Sequence, residues 1–122
     1  MSKKKEEHRD PLLYLDDIVD SCRKIKEYVN SYEGKNFTLE EKTLDAVVRN
    51  LITIGEAAGK VPVEIRKIEP DVDWRKLRSI RNFLAHEYFG VDLEIVKDLV
   101  ENKVPRIEEK VTALIESLNQ QG

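Results

Sequence analysis

A single cysteine, Cys22, among 122 residues excludes any internal disulfide framework and suits a reducing compartment. Histidine is as scarce: only His8 and His86 are present. Two are too few for an ordinary zinc site, and no His-Glu-x-x-His or paired Cys/His spacing occurs, so neither a metal nor a cofactor is expected. No apolar run approaches the roughly 18 residues that a bilayer-crossing helix needs. The basic start, Met1 to Arg9, is followed by no apolar stretch of the kind a secretory signal carries. A cytoplasmic protein without a membrane partner is therefore expected. No segment alternates like a strand, and no repeat or low-complexity tract is found. Charge of one sign is also lacking: 37% of residues are charged but the net is only -3, so any nucleic-acid partner must be held by a local patch.

What is present is helical periodicity. Residues 1–9 read as a flexible tail and 10–122 as one domain, long enough to bury a core unaided. Asp10 is a candidate N-cap with Pro11 at the first helical position. Leu12, Leu15, Ile18, Val19, Cys22, Ile25 and Val29 then recur at helical spacing to about Tyr32, before the break Glu33-Gly34-Lys35-Asn36. Thr38 and Glu41 are spaced as a capping box for a second helix. That helix carries Leu44, Val47, Val48, Leu51, Ile54 and Ala58 and ends near Gly59, before Pro62. Within it, Gly55-x-x-x-Gly59 is a smooth surface suited to close approach of another helix. The run Gly55 to Val61 has a superficial likeness to a phosphate-binding loop. It is one residue short, lacks Ser or Thr after Lys60 and follows no strand, so that reading is rejected. A short helical turn over residues 62–69 should pack through Val63, Ile65 and Ile68. Asp73 caps a helix bearing Trp74, Leu77, Ile80, Leu84 and Tyr88 on one side and stopping near Gly90. Asp92 caps a last helix with Leu93, Val96, Leu99 and Val100. Pro105 should kink or break it, after which Ile107, Val111, Leu114, Ile115 and Leu118 continue the stripe. The fold class is all-α: an antiparallel bundle of four main helices plus a short helical turn.

The chemistry concentrates between Ser79 and Gly90. A lone helical histidine is most often structural, but Arg81, Asn82 and His86 punctuate this helix without adding to its apolar stripe, and Tyr88 closes that stripe with a polar hydroxyl. At about 100° per residue, Arg81 and Tyr88 nearly eclipse one another at the edge of that stripe, while Asn82 and His86 share another face. Arg81 and His86 diverge by about 140° and are separated by about 7.5 Å along the axis. Two copies facing each other across a twofold axis would bring two arginines and two histidines into one cleft, so a catalytic role implies a homodimer. Arginine grips phosphate oxygens at every working pH, and histidine exchanges protons near neutrality. Together they suit cleavage of RNA by its own 2′-hydroxyl, with His86 moving protons, Arg81 stabilising the phosphorane and Asn82 orienting either one. Residues 66–81 hold six basic side chains (Arg66, Lys67, Arg75, Lys76, Arg78, Arg81) against three acidic ones (Glu69, Asp71, Asp73). Of these, Arg75, Lys76 and Arg78 are candidate RNA contacts. A merely solvated helix face accounts for the strip equally well.

The run from Trp74 through Leu77, Ile80-Arg81-Asn82-Phe83-Leu84-Ala85-His86-Glu87-Tyr88-Phe89 to Val91-Asp92 resembles the core of a HEPN domain of the HepT type. Ile54-Gly55-Glu56-Ala57-Ala58 and the stretch from Leu99 to Pro105 sit where that family places similar elements, so the resemblance covers residues 10–118. It implies an all-α, metal-independent ribonuclease toxin that works as a homodimer with its cleft at the interface. The catalytic pair maps onto Arg81 and His86, with Asn82 auxiliary. It further implies a partner, a minimal nucleotidyltransferase antitoxin encoded nearby, and a modified residue, Tyr88, on which such antitoxins place AMP. Glu56 matches a recurrent position to which no role is assigned. A non-catalytic HEPN module that binds nucleotide or substrate for a nucleotidyltransferase is the alternative. A plain helical dimerisation domain is disfavoured by the intact Arg-Asn-x3-His.

Overall fold

In the computed structural model, residues 9–31, 36–86 and 92–121 are described, with the side chains of Ala85 and His86 outside that description. The tail over 1–8, the break at 32–35 and the helix stop expected near Gly90 lie outside the described residues. Helix α1, Pro11–Asn30, starts as expected: Asp10 Oδ1 accepts the Leu12 N–H at 2.9 Å and Pro11 occupies the first turn. A 3₁₀ turn, Phe37–Leu39, then leads into α2, Glu41–Lys60. A four-residue helix α3, Val63–Arg66, precedes α4, Trp74–His86. Helix α5, Leu93–Asp98, a π-type turn Leu99–Lys103, and α6, Val104–Gln121, follow without interruption. No strand occurs among the described residues. The result is an all-α antiparallel bundle: α1 packs on α2 and α6, and α2 packs on α4.

Its core is the union of the apolar stripes. Leu15, Ile18, Cys22 and Ile25 of α1 meet Val47, Leu51, Ile54 and Ala58 of α2, with Leu84, Val96, Val111 and Leu114 closing the interior. Each wholly buried Leu or Ile contributes about 1.5–3 kcal/mol relative to an exposed one. Glu108 of α6 accepts from Arg23 Nε at 3.4 Å and Lys26 Nζ at 3.1 Å on α1. Both cations are solvated, so each pair adds at most about 1 kcal/mol and chiefly sets register.

Three local expectations are corrected and a fourth is narrowed. The capping box does not form, because Asn36 Oδ1 engages both the N–H and the hydroxyl of Thr38. Glu40 caps α2 instead, its carboxylate accepting from the N–H groups of Lys42 and Thr43. In the short α3 segment only Ile65 packs on the core, whereas Val63 and Ile68 are exposed. Leu93, expected in the last helix's stripe, is also exposed, since α5 turns only Val96 inward. Of the kink or break expected at Pro105, only the break is absent: the helix runs on through it. Pro105 lacks an N–H and its ring would crowd the carbonyl four residues back. The preceding turn widens to absorb it, with the Val104 N–H bonding Leu99 O five residues earlier.

Candidate active site

Helix α4 begins where Asp73 Oδ1 accepts the Lys76 N–H at 3.0 Å. The indole N–H of Trp74 is satisfied by Glu69 O at 3.0 Å, which seats the first turn. Trp74, Leu77 and Leu84 are buried and Ile80 is partly so, as the helical wheel requires. This face lies against α2, and the contact is made at the two glycines. A Cβ on Gly55 would overlap Arg81 Cβ and stand 2.7 Å from Leu77 O and 3.1 Å from Arg81 Cα. A Cβ on Gly59 would meet only the Arg78 side chain, at 3.3 Å from Nε. The Gly-x-x-x-Gly surface is thus a seat for α4, and the arginine singled out by the sequence rests directly on it.

Between the helices runs a groove of about 260 Å³ whose floor is Gly55 and Gly59. Arg78, Arg81 and Asn82 of α4 form one bank, with Glu56 and Lys60 of α2 on the other. Arg81 donates from Nη1 to Asn82 Oδ1 at 3.0 Å, so Asn82 orients the arginine. Helix α4 extends through His86, which keeps it on the same rigid element as Arg81. The His86 side chain and all of Tyr88 lie outside the described residues.

The predicted RNA contacts divide. Arg78 lines the groove. Lys76 instead lines a cavity of about 190 Å³ with Ile80, Leu99 and Arg106 on another side of α4, and Arg75 is exposed away from the groove lining. Lys60 was missed by sequence reasoning, and Glu56 had no role. The available signal was positional: each follows a glycine of the four-residue repeat, so both flank the same seat. Groove charge is three cations to one carboxylate, an arrangement that favours an anionic ligand such as phosphate. No trio of His, Cys, Asp or Glu capable of holding a metal converges among the described residues. Cys22 offers no nucleophile, because burial pushes its thiol up to about 12. No helix of the described residues is long and apolar enough to cross a membrane.

Comparison with known proteins brings together several named ribonucleases. The chain is 33% identical over 110 residues to the "Probable ribonuclease HepT" of Thermococcus cleftensis, covering 90% of this chain and 97% of that protein. It is 33% identical over 110 residues to a candidate RNase of Methanocaldococcus jannaschii, covering 90% and 91% of the two chains. A candidate RNase of Caldanaerobacter subterraneus is 31% identical over 106 residues, covering 87% and 95%. No solved structure is a significant match. The family model described as "Ribonuclease HepT-like" matches residues 18–114, and the chain therefore belongs to the HepT-like ribonuclease family.

Proposed function

We propose that the protein is a metal-independent endoribonuclease that cleaves RNA by attack of a 2′-hydroxyl on the adjacent phosphorus. The observation that carries this reading is Arg81, seated on Gly55 and oriented by Asn82 at the head of a cationic groove. In the reaction His86 takes the 2′-hydroxyl proton as the 2′-oxygen bonds to phosphorus. The P–O5′ bond then breaks and the leaving oxygen receives a proton, from His86 or from the histidine of a second copy. The products are a 2′,3′-cyclic phosphate and a free 5′-hydroxyl. Arg81 stabilises the extra negative charge of the phosphorane through its planar fork.

Helical geometry separates Arg81 from His86 by about 140°, which supports a homodimer in which each cleft combines residues of two copies. Phe83, 40% exposed beside Asn82, supplies apolar surface for such a contact. The family resemblance supports a toxin role, with a nucleotidyltransferase antitoxin that attaches AMP to Tyr88. Incubating the purified protein with cellular RNA in excess chelator tests the reading. Cyclic-phosphate ends are expected. Dependence on magnesium would refute the mechanism, and tight RNA binding without cleavage would instead favour a non-catalytic substrate-holding module.

A further inference from the structure

We infer that Lys60 and Arg78 form a second phosphate subsite, one nucleotide away from the bond that is cut. The inference rests on the ribonuclease reading and gives it a substrate path. Arg81 packs on Gly55 and Arg78 on Gly59, two stations four residues apart along α2. At 1.5 Å per residue these lie about 6 Å apart, comparable to one phosphate-to-phosphate step of an extended strand. Lys60, on the other helix, lines the same groove as Arg78. Its ammonium stays 5.9 Å from the ring centroid of buried Tyr14, which steadies it without neutralising it. Glu56 precedes Lys60 by four residues, the favourable order for a helical ion pair, yet the ion pairs of the described residues do not include this one. Lys60 therefore carries an uncompensated charge at the station next to Arg81. A strand laid along the glycine floor meets Arg81 at one phosphate and the Lys60–Arg78 pair at the next, while Glu56 opposes it.

The test is fluorescence anisotropy with a fluorescein-labelled, mixed-sequence RNA dodecamer bearing 2′-O-methyl groups throughout, which cannot attack its own phosphates. Lys60→Ala should weaken binding about three- to tenfold and lower the slope of log K against log salt by about 0.7, the value for one lost contact on a single strand. Lys60→Arg should restore both, and Glu56→Gln should tighten binding. On a cleavable oligomer, one neutral methylphosphonate beside the cut should slow the wild type but add nothing to the defect of Lys60→Ala. An unchanged salt slope in Lys60→Ala, or equal sensitivity of wild type and variant to the neutral linkage, would overturn the subsite. Because the first assay needs no cleavage, wild-type protein that binds but never cuts would sink the ribonuclease reading alone.

Discussion

Gly55→Ala and Gly59→Ala are the same chemical change four residues apart in one helix, and they should have opposite consequences. The new Cβ at Gly55 would overlap Arg81 Cβ and stand 2.7 Å from the carbonyl oxygen of Leu77. These are atoms fixed to the α4 backbone, so no side-chain rotation relieves the clash and α4 must move. Such overpacking costs about 1–3 kcal/mol. Replacing glycine by alanine within a helix returns about 1 kcal/mol, leaving a net loss of up to about 2 kcal/mol. At Gly59 the nearest atom is Arg78 Nε at 3.3 Å, near the free end of a flexible side chain, so the propensity gain dominates. That variant should be unchanged or stabilised by up to about 1 kcal/mol. Urea titration followed by circular dichroism reads both numbers, provided the slope of the transition is unchanged. The effect on activity should be larger than the effect on stability. A displacement of about 1 Å in a catalytic group can lower rate about 100-fold, so Gly55→Ala should lose most cleavage while remaining folded. If Gly55→Ala were as stable and active as Gly59→Ala, the close approach of α4 to α2 would be refuted.

Arg81→Ala and His86→Ala should each abolish cleavage with little change in the urea midpoint, since neither residue belongs to the apolar stripe; residual activity above about 1% of wild type in either would contradict the assignment. Arg81→Lys should also be severely impaired, because an ammonium cannot supply the planar fork, and single-turnover rates would show it. Co-expression with an adjacent nucleotidyltransferase should add the mass of AMP to Tyr88, and Tyr88→Phe should escape both adduct and protection; an adduct elsewhere with cleavage still suppressed would rule this out. Burial raises the Cys22 thiol from 9.0 in the unfolded chain to about 12, so its contribution to stability is complete below pH 9 and is lost as pH climbs toward 12. A thiol reagent at neutral pH should label Cys22 only in denaturant, and fast labelling of the native protein would contradict its burial.

Much of this molecule was legible in the chain alone, wherever the deciding physics lies within a turn or two of helix. Asp10, Asp73 and Asp92 cap their helices as read, because a cap bonds a backbone N–H two or three residues away. The periodicity of Leu15, Ile18, Cys22 and Ile25 identified the buried side of α1 for the same reason. Within the site, Arg81 and Asn82 are neighbours in sequence and their hydrogen bond is local. Readings failed where a non-local neighbour chose between alternatives. Leu93, Val63 and Ile68 have apolar side chains at helical spacing, but no element among the described residues covers them. Thr38 could cap α2 in principle, but Asn36 captures its hydroxyl first. The glycine pair announced a close helix approach without naming the partner. Only the packing of α4 on α2 selected Arg81 to sit on Gly55 and brought Lys60 and Arg78 to one groove. Those residues stand 18 (Lys60 to Arg78) and 26 (Gly55 to Arg81) positions apart, and no spacing rule encodes which face of one helix meets another. That choice is made by the shape of the whole core, which exists only once the chain has folded.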